Sequence, residues 1–222
     1  MTTGDPWERV GIDITGPHPK STRGNIYMLT VMDYFSKWAD DAFPIRNQEA
    51  STIAKVLVDR VFAYFGAPIQ ILTDRGANFQ SQLFEELMKR FDIDHVSTSP
   101  NKPSTNGLIE RFHRTLNEIL GKVVDRAQRN WDEWIPYAVA AYRATVHEVT
   151  GYSPNFIVFG RENALPVDLV YGAPTAHPSY VSLDEFVAER QRRLRECHCL
   201  VRDALGRSAE RQKRRYDLAV MT

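Results

Sequence analysis

The chain has 222 residues, of which 43% are hydrophobic and 25% charged, and its formal net charge is zero. This composition supports a sizeable hydrophobic core and is unlike that of a disordered or membrane protein. Because the net charge is zero, overall basicity cannot be used as evidence for a nucleic-acid partner. The sequence has no long apolar run and no signal-like N-terminus, which predicts a soluble protein with no membrane partner. The two cysteines, Cys197 and Cys199, favour neither a disulfide framework nor a zinc site.

Alternating and dense apolar runs predict three strands near the N-terminus. These strands span residues 8–15, 26–32 and 38–45. The first strand carries Asp13 in its middle and stops at Gly16-Pro17. A tight turn follows the second strand, so the three are expected to form an antiparallel meander.

After residue 46, the spacing of apolar residues alternates between that of helices and that of strands. The predicted elements are a helix capped by Asn47 and closed by Gly66, a buried strand over 69–73, a helix over 81–91 and a strand over 93–97. The second of these helices is expected to bury Leu83, Phe84, Leu87, Met88 and Phe91. Three strands followed by alternating helices and strands predict an α/β fold, with a mixed five-stranded sheet flanked by helices.

A helix carrying Glu110 is predicted after a mobile loop over 98–105, which is rich in proline and serine. Its apolar stripe comprises Leu108, Ile109, Phe112, Leu116, Ile119, Leu120 and Val123. Its polar side comprises Asn106, Glu110, His113 and Arg114. On its own, this window indicates only a helix with one buried and one solvated face.

The remainder of the chain predicts helices joined by a proline-rich linker. A helix beginning at Trp131 is expected to bury Trp131, Trp134, Ile135, Ala138 and Tyr142, and a short helix follows Ser153-Pro154. We therefore predict a core over 5–160, an extended linker over 161–180 and a C-terminal helical extension over 181–218. The last helix has a heptad-like apolar seam, which predicts a partner surface.

Three carboxylates on separate elements carry the predicted chemistry: Asp13, Asp74 and Glu110. Oxygen ligands without His or Cys favour Mg²⁺ or Mn²⁺ over zinc, and two such ions could support in-line displacement at a phosphodiester. Each aspartate alone is more typical of a turn or a strand end. Three rival acids lie near the third strand and spacing does not exclude them: Asp33, Asp40 and Asp41. Asp33 also has a structural interpretation as a turn-capping residue.

Four motifs in the chain resemble the integrase catalytic core of Gypsy-type LTR retrotransposons, which are relatives of retroviral integrases. They are WERVGIDITGP at 7–17, MDYFSKW at 32–38, LTDRGANF at 72–79 and NGLIERFHRTL at 106–116. Asp74 and Glu110 are separated by 35 residues, the spacing of the D,D-35-E signature in that superfamily. The resemblance covers about residues 5–160 well and the C-terminal helix more weakly.

The resemblance implies an RNase H-like fold in which Asp13, Asp74 and Glu110 match the metal ligands. It implies an enzyme, a metal-dependent polynucleotidyl transferase that processes the 3′ ends of retroelement DNA and joins them to target DNA. Asn106 matches a position that in relatives lies near the DNA, close to the reacting phosphate. Lys102, Arg111 and Arg114 are interpreted either as phosphate contacts or as ordinary surface charge. A homo-oligomer, dimeric or tetrameric, acting in the nucleus is expected.

Some residues depart from the family pattern. Arg75 and Leu108 stand where relatives commonly carry Gln, and Asn101-Lys102 replaces an aromatic-His pair. The upstream zinc module and downstream small domains of relatives are not recognised in the sequence, so either an excised core with its trailing helix or a domesticated or decayed copy is expected. The alternative function is a non-catalytic module for DNA binding or oligomerisation, and RNase H-type hydrolysis is a more distant one.

Overall fold

The computed structural model of the chain describes residues 4–97, 103–124, 128–163 and 182–220. Its five strands are β1 (Arg9–Thr15), β2 (Tyr27–Asp33), β3 (Ala39–Ile45), β4 (Gln70–Thr73) and β5 (Asp94–Ser97). They form one sheet in the order β3-β2-β1-β4-β5. The first three strands are antiparallel, while β4 runs parallel to β1 and β5 runs parallel to β4. The predicted mixed five-stranded sheet is confirmed.

Six helices are described. The first, α1, runs through Ala50–Val56, a π-helical stretch at Leu57–Phe62 and a final turn at Ala63–Phe65. The others are α2 (Gln82–Arg90), α3 (Pro103–Val123), α4 (Trp131–Ala144), α5 (Pro154–Phe159) and α6 (Leu183–Val220). The chain divides into two compact units, Thr3–Tyr142 and Arg143–Thr222. None of the described helices is both long enough and apolar enough to cross a membrane.

The sheet has two differently covered faces because successive strand residues point to opposite sides. On one side, which we call the α1/α2 face, strand residues pack against helix residues including Ile53, Leu57, Val61, Phe84 and Met88. On the other, the α3/α4 face, strand residues pack against Leu108, Ile109, Phe112, Leu116, Trp131 and Ile135. Ile12 belongs to the first face, so the neighbouring Asp13 belongs to the second.

Several predicted details are wrong. Helix α3 already includes Pro103, within the predicted loop, and residues 98–102 lie outside the described part of the chain. The N-cap of α1 is Glu49, not Asn47, whose Oδ1 instead accepts hydrogen bonds from Glu49 N (3.2 Å) and Thr52 Oγ1 (2.7 Å).

Four residues predicted to be buried are substantially exposed: Leu83 (46%), Phe91 (37%), Trp134 (36%) and Ile69 (64%). Helix α2 is amphipathic, but its fully buried row is narrow and consists of Phe84 and Met88, which are spaced by one turn. Leu83 lies about 100° around the helix from Phe84 and therefore leaves the buried row. The apolar pattern predicted the helices correctly but overestimated the width of their buried faces.

The second compact unit contains α5 and α6. Ser153 Oγ accepts from Phe156 N (3.0 Å) at the start of α5, and Gly160 ends the helix in the left-handed conformation. Arg190 Nη1 donates to Gly160 O (2.7 Å), while Cys197 and Val201 of α6 are buried. The predicted seam of α6 is therefore partly covered within its own chain. Most of the predicted linker lies outside the described residues.

Candidate active site

Asp13 occupies the middle of β1, on the α3/α4 face, and its side chain is 16% exposed. Strand β4 lies beside β1 in parallel, with Gly11 opposite Leu72. Continuing that register by two residues brings Asp13 beside Asp74, which directly follows β4. The sheet topology therefore brings together two acids that are 61 positions apart in the sequence.

Asp74 is oriented by a turn of its own. Its Oδ1 accepts a hydrogen bond from Gly76 N at 2.9 Å. This side-chain-to-backbone bond is typical of an aspartate that starts a turn, and it fixes the carboxylate relative to the end of β4. The structural and functional interpretations of Asp74 are thus compatible.

Glu110 comes from α3, where the preceding Leu108 and Ile109 are buried and Glu110 itself is exposed. The helix approaches β1 closely at Gly11. A Cβ atom added at Gly11 would lie 2.7 Å from Ile109 Cδ1 and 2.7 Å from Tyr34 Cε2. Only a residue without a side chain leaves room for this approach. It places Ile109, the residue before Glu110, directly against β1.

The three acids interact electrostatically. Burial, together with the negative charges of Asp74 and Glu110, raises the pKa of Asp13 to about 6, while a hydrogen bond from Ile14 N opposes the shift. Clustered carboxylates of this kind favour a bound cation, and their oxygens suit Mg²⁺ or Mn²⁺. Within the described residues, no three His, Cys, Asp or Glu side chains are close enough to form a ready-made metal site. Asp74 and Glu110 are therefore close enough to affect the pKa of Asp13, but the described side chains do not form a preformed metal coordination shell.

His113 is a site residue that the sequence did not identify. It was predicted on the solvated side of α3, but it is only 7% exposed. Its Nε2 lies 2.8 Å from Thr30 Oγ1 and its Nδ1 lies 3.7 Å from Asp13 Oδ2. Burial, with a smaller contribution from His18, lowers the pKa of His113 to about 4, so the contact with Asp13 is not an ion pair at neutral pH. One signal was available in the sequence, since Thr30 interrupts an otherwise apolar strand.

Comparison with known proteins relates this chain to integrases. Residues 5–103 match the family described as "Integrase core domain". A retrovirus-related Pol polyprotein from transposon 412 of Drosophila melanogaster is 31% identical over 214 residues, covering 96% of this chain. The chain contains an integrase core domain like those of retroviral and retrotransposon Pol polyproteins. It spans 17% of the length of that polyprotein.

A second relative and a solved structure agree with this assignment. Gypsy retrotransposon integrase-like protein 1 of Rattus norvegicus is 31% identical over 162 residues, which are 73% of this chain and 31% of the relative. The HTLV-2 integrase catalytic core domain, solved in complex with magnesium, has a TM-score of 0.55 and 22% identity, covering 68% of this chain and 95% of that one. The latter likeness confirms the predicted RNase H-like fold of the integrase core.

The rival acid Asp33 has a structural role in this integrase core. It is fully buried at the end of β2 and accepts hydrogen bonds from Trp7 N (3.1 Å), Phe35 N (3.3 Å), Ser36 N (2.8 Å) and Ser36 Oγ (2.5 Å). These contacts confirm its turn-capping interpretation. Asp40 belongs to β3, separated from β1 by β2, and the side chain of Asp41 is outside the described part of the structure.

The residues predicted to contact DNA are only partly described. Arg111 and Arg114 are exposed on α3, and Arg111 Nε donates to Gly107 O at 2.9 Å. Among the described residues, neither arginine has an acidic partner within ion-pair distance. Lys102 and the side chain of Asn106 lie outside the described residues, so both stay predictions.

Proposed function

We propose that this integrase core is the catalytic part of a DNA polynucleotidyl transferase, which processes the 3′ ends of retroelement DNA and joins them to target DNA. The observation that carries this proposal is the register of β1 and β4, by which Asp13 lies beside Asp74, and the negative charges of Asp74 and Glu110 both raise the pKa of Asp13. The charges of a strand-end acid and a helix acid therefore both act on Asp13, although the three residues are dispersed along the sequence. A carboxylate perturbed in this way is typical of a functional site.

Asp13, Asp74 and Glu110 are the residues that would hold two Mg²⁺ or Mn²⁺ ions. Ions bound there would lower the pKa of an attacking water or hydroxyl and stabilise the entering and leaving oxygens of a phosphodiester. The chain itself contributes orientation: the Gly76 N–H fixes Asp74, and the close approach of α3 at Gly11 sets Glu110. The magnesium in the HTLV-2 integrase core supports the choice of ion.

DNA would be held by local positive charge, because the chain has no net charge. Arg111 lies next to Glu110 and Arg114 lies one turn after it, so both are placed to contact phosphates near the reacting bond. Asn106 and Lys102, before the helix turn that carries Glu110, complete the proposed DNA contacts. Action on chromosomal DNA in the nucleus and assembly as a dimer or tetramer belong to the same proposal.

The second candidate is a non-catalytic module, retained for DNA binding or oligomerisation. One observation favours it, namely that no three-acid metal site is preformed among the described residues. The presence of Asp13, Asp74 and Glu110 in the sequence favours the catalytic candidate. The two candidates differ in a single measurable property, which is metal-dependent strand transfer.

The test is a Mn²⁺-dependent strand-transfer assay with a short duplex, using the full chain, Asp13→Asn and Glu110→Gln. Glu118→Gln is the matched control, since Glu118 is exposed on the same helix two turns further on. We expect products with the parent chain and the control, and none with the two site variants. Equal yields from all four proteins would overturn the catalytic assignment and leave the non-catalytic module.

A further inference from the structure

His113 lies between a cross-strand pair of polar residues. Asp13 on β1 and Thr30 on β2 are direct partners in the antiparallel register, so their side chains project from the same face of the sheet. His113 follows Glu110 by three residues on α3 and reaches this face from above. Thr30 is fully buried and His113 nearly so.

The two contacts of the His113 ring constrain its proton. A neutral imidazole has one N–H donor and one acceptor nitrogen. If Thr30 Oγ1, at 2.8 Å, donates its hydroxyl proton to Nε2, the ring proton must be on Nδ1, which faces Asp13 Oδ2 at 3.7 Å. The opposite tautomer would point the Nδ1 lone pair at a carboxylate in a buried site, which is electrostatically unfavourable. The geometry therefore selects the Nδ1–H form.

We propose that His113 is a positioning residue for Asp13: Thr30 holds the ring in the Nδ1–H tautomer, and the Nδ1–H dipole orients Oδ2 so that Oδ1 is presented toward Asp74 and Glu110. The inference rests on the proposed function, because it assigns Asp13 as a cation ligand. At 3.7 Å the contact is longer than a hydrogen bond, so its effect on the carboxylate is one of orientation and local field. Groups behind a metal ligand commonly tune metal affinity in this way.

The first measurement is made on the parent chain, and a substitution serves only to assign the signals. In a long-range ¹H–¹⁵N correlation spectrum of the full chain, each neutral histidine reports which ring nitrogen carries the proton, and His113→Gln identifies the His113 signals among the six histidines. We expect the Nδ1–H form of His113 at pH 7. An Nε2–H form in the parent chain would overturn the proposal, whatever the behaviour of any variant.

The second measurement is Mn²⁺ binding by calorimetry in the absence of DNA. Thr30→Val keeps the shape of the side chain but removes the hydroxyl, while Thr30→Ser restores it. We expect Thr30→Val to lose the single tautomer and to weaken Mn²⁺ binding about 10–100-fold, with both properties restored in Thr30→Ser. A Thr30→Val protein that loses only thermal stability, with unchanged tautomer and Mn²⁺ affinity, would show that the contact is merely structural.

Asp13→Asn separates this inference from the proposed function. If Asp13→Asn abolishes Mn²⁺ binding and Thr30→Val leaves it unchanged, the positioning role fails while the metal site stands. If Asp13→Asn leaves Mn²⁺ binding unchanged, the proposed ligand set fails and the positioning role fails with it.

Discussion

The two faces of the sheet differ in what they bury. The α1/α2 face is a continuous apolar cluster built on residues such as Ile12, Val31 and Ile71. The α3/α4 face is also apolar, but the polar side chains of Asp13, Thr30 and His113 lie within it. Because adjacent residues of one strand serve opposite faces, β1 contributes both to the core and to the site. Stability and function can therefore be perturbed separately by substitutions only one residue apart.

The largest expected effect is a loss of activity at the end of β4. In Asp74→Asn, the amide oxygen can still accept the hydrogen bond from Gly76 N, so the turn should be retained while a negative charge is lost. We expect strand transfer to fall about 10²–10⁴-fold, the result of losing several kcal/mol of transition-state stabilisation. The melting temperature should change little.

The control for Asp74→Asn is Asp94→Asn on β5. Asp94 is exposed and accepts a hydrogen bond from Gln70 Nε2, so its replacement removes one negative charge at the far edge of the sheet. We expect its strand-transfer rate to match that of the parent chain. Equal losses in both variants would mean that overall charge, and not the site, determines activity.

On the opposite face, Leu57→Ala tests the purely apolar cluster. Leu57 is fully buried in the π-helical stretch of α1. Truncation there should lower the free energy of unfolding by about 2–5 kcal/mol through lost burial and an unfilled cavity. Urea unfolding measures this loss, and calorimetry below the transition should give the Mn²⁺ affinity of the parent chain. A weakened Mn²⁺ affinity in the folded variant would contradict the separation of the two faces.

The polar groups of the α3/α4 face should give opposing pH dependences in the absence of metal. The pKa of Asp13 is raised to about 6, so between about pH 4 and 6 this carboxyl is protonated in the folded chain and ionised in the unfolded chain. Its contribution to the free energy of unfolding therefore falls as pH rises through that range. The pKa of His113 is lowered to about 4, so its contribution falls in the other direction, as pH drops from about 6.5 to 4. Each contribution amounts to about 3 kcal/mol, since each shift exceeds two pKa units and one unit corresponds to about 1.4 kcal/mol.

Asp13→Asn removes one of these two opposing dependences. With EDTA present, its free energy of unfolding should increase more steeply between pH 4 and 6.5 than that of the parent chain. It should also be more stable than the parent at pH 7, because the destabilising buried charge is gone. Urea titrations at four pH values measure both, and parallel pH profiles for the two proteins would contradict the raised pKa of Asp13.

The sequence predicted the order of strands and helices well because alternation and helical spacing are local signals. The proposed triad rests on the 35-residue spacing and on four motifs that resemble a known family, and it stays a prediction. The burial of His113 was not predictable, because helical spacing alone assigns it to the same side as Glu110, whereas the close packing of α3 on β1 buries it. Contacts such as Thr30 with His113 depend on sheet register, which a single sequence does not specify.

The smallest expected effect concerns the packing that positions Glu110. In Gly11→Ala, the added methyl group would meet Ile109 and the Tyr34 ring at 2.7 Å, so α3 must move away from β1. We expect a loss of about 1–3 kcal/mol in unfolding free energy from overpacking, together with weaker Mn²⁺ binding.

Gly107→Ala on α3 is the matched control, because nothing lies within 4 Å of its added Cβ. That substitution should stabilise the helix by about 0.5–1 kcal/mol and leave Mn²⁺ binding unchanged. If Gly11→Ala lowered stability but bound Mn²⁺ normally, the approach of α3 to β1 would matter for packing alone, and the position of Glu110 would have to be set elsewhere along the helix.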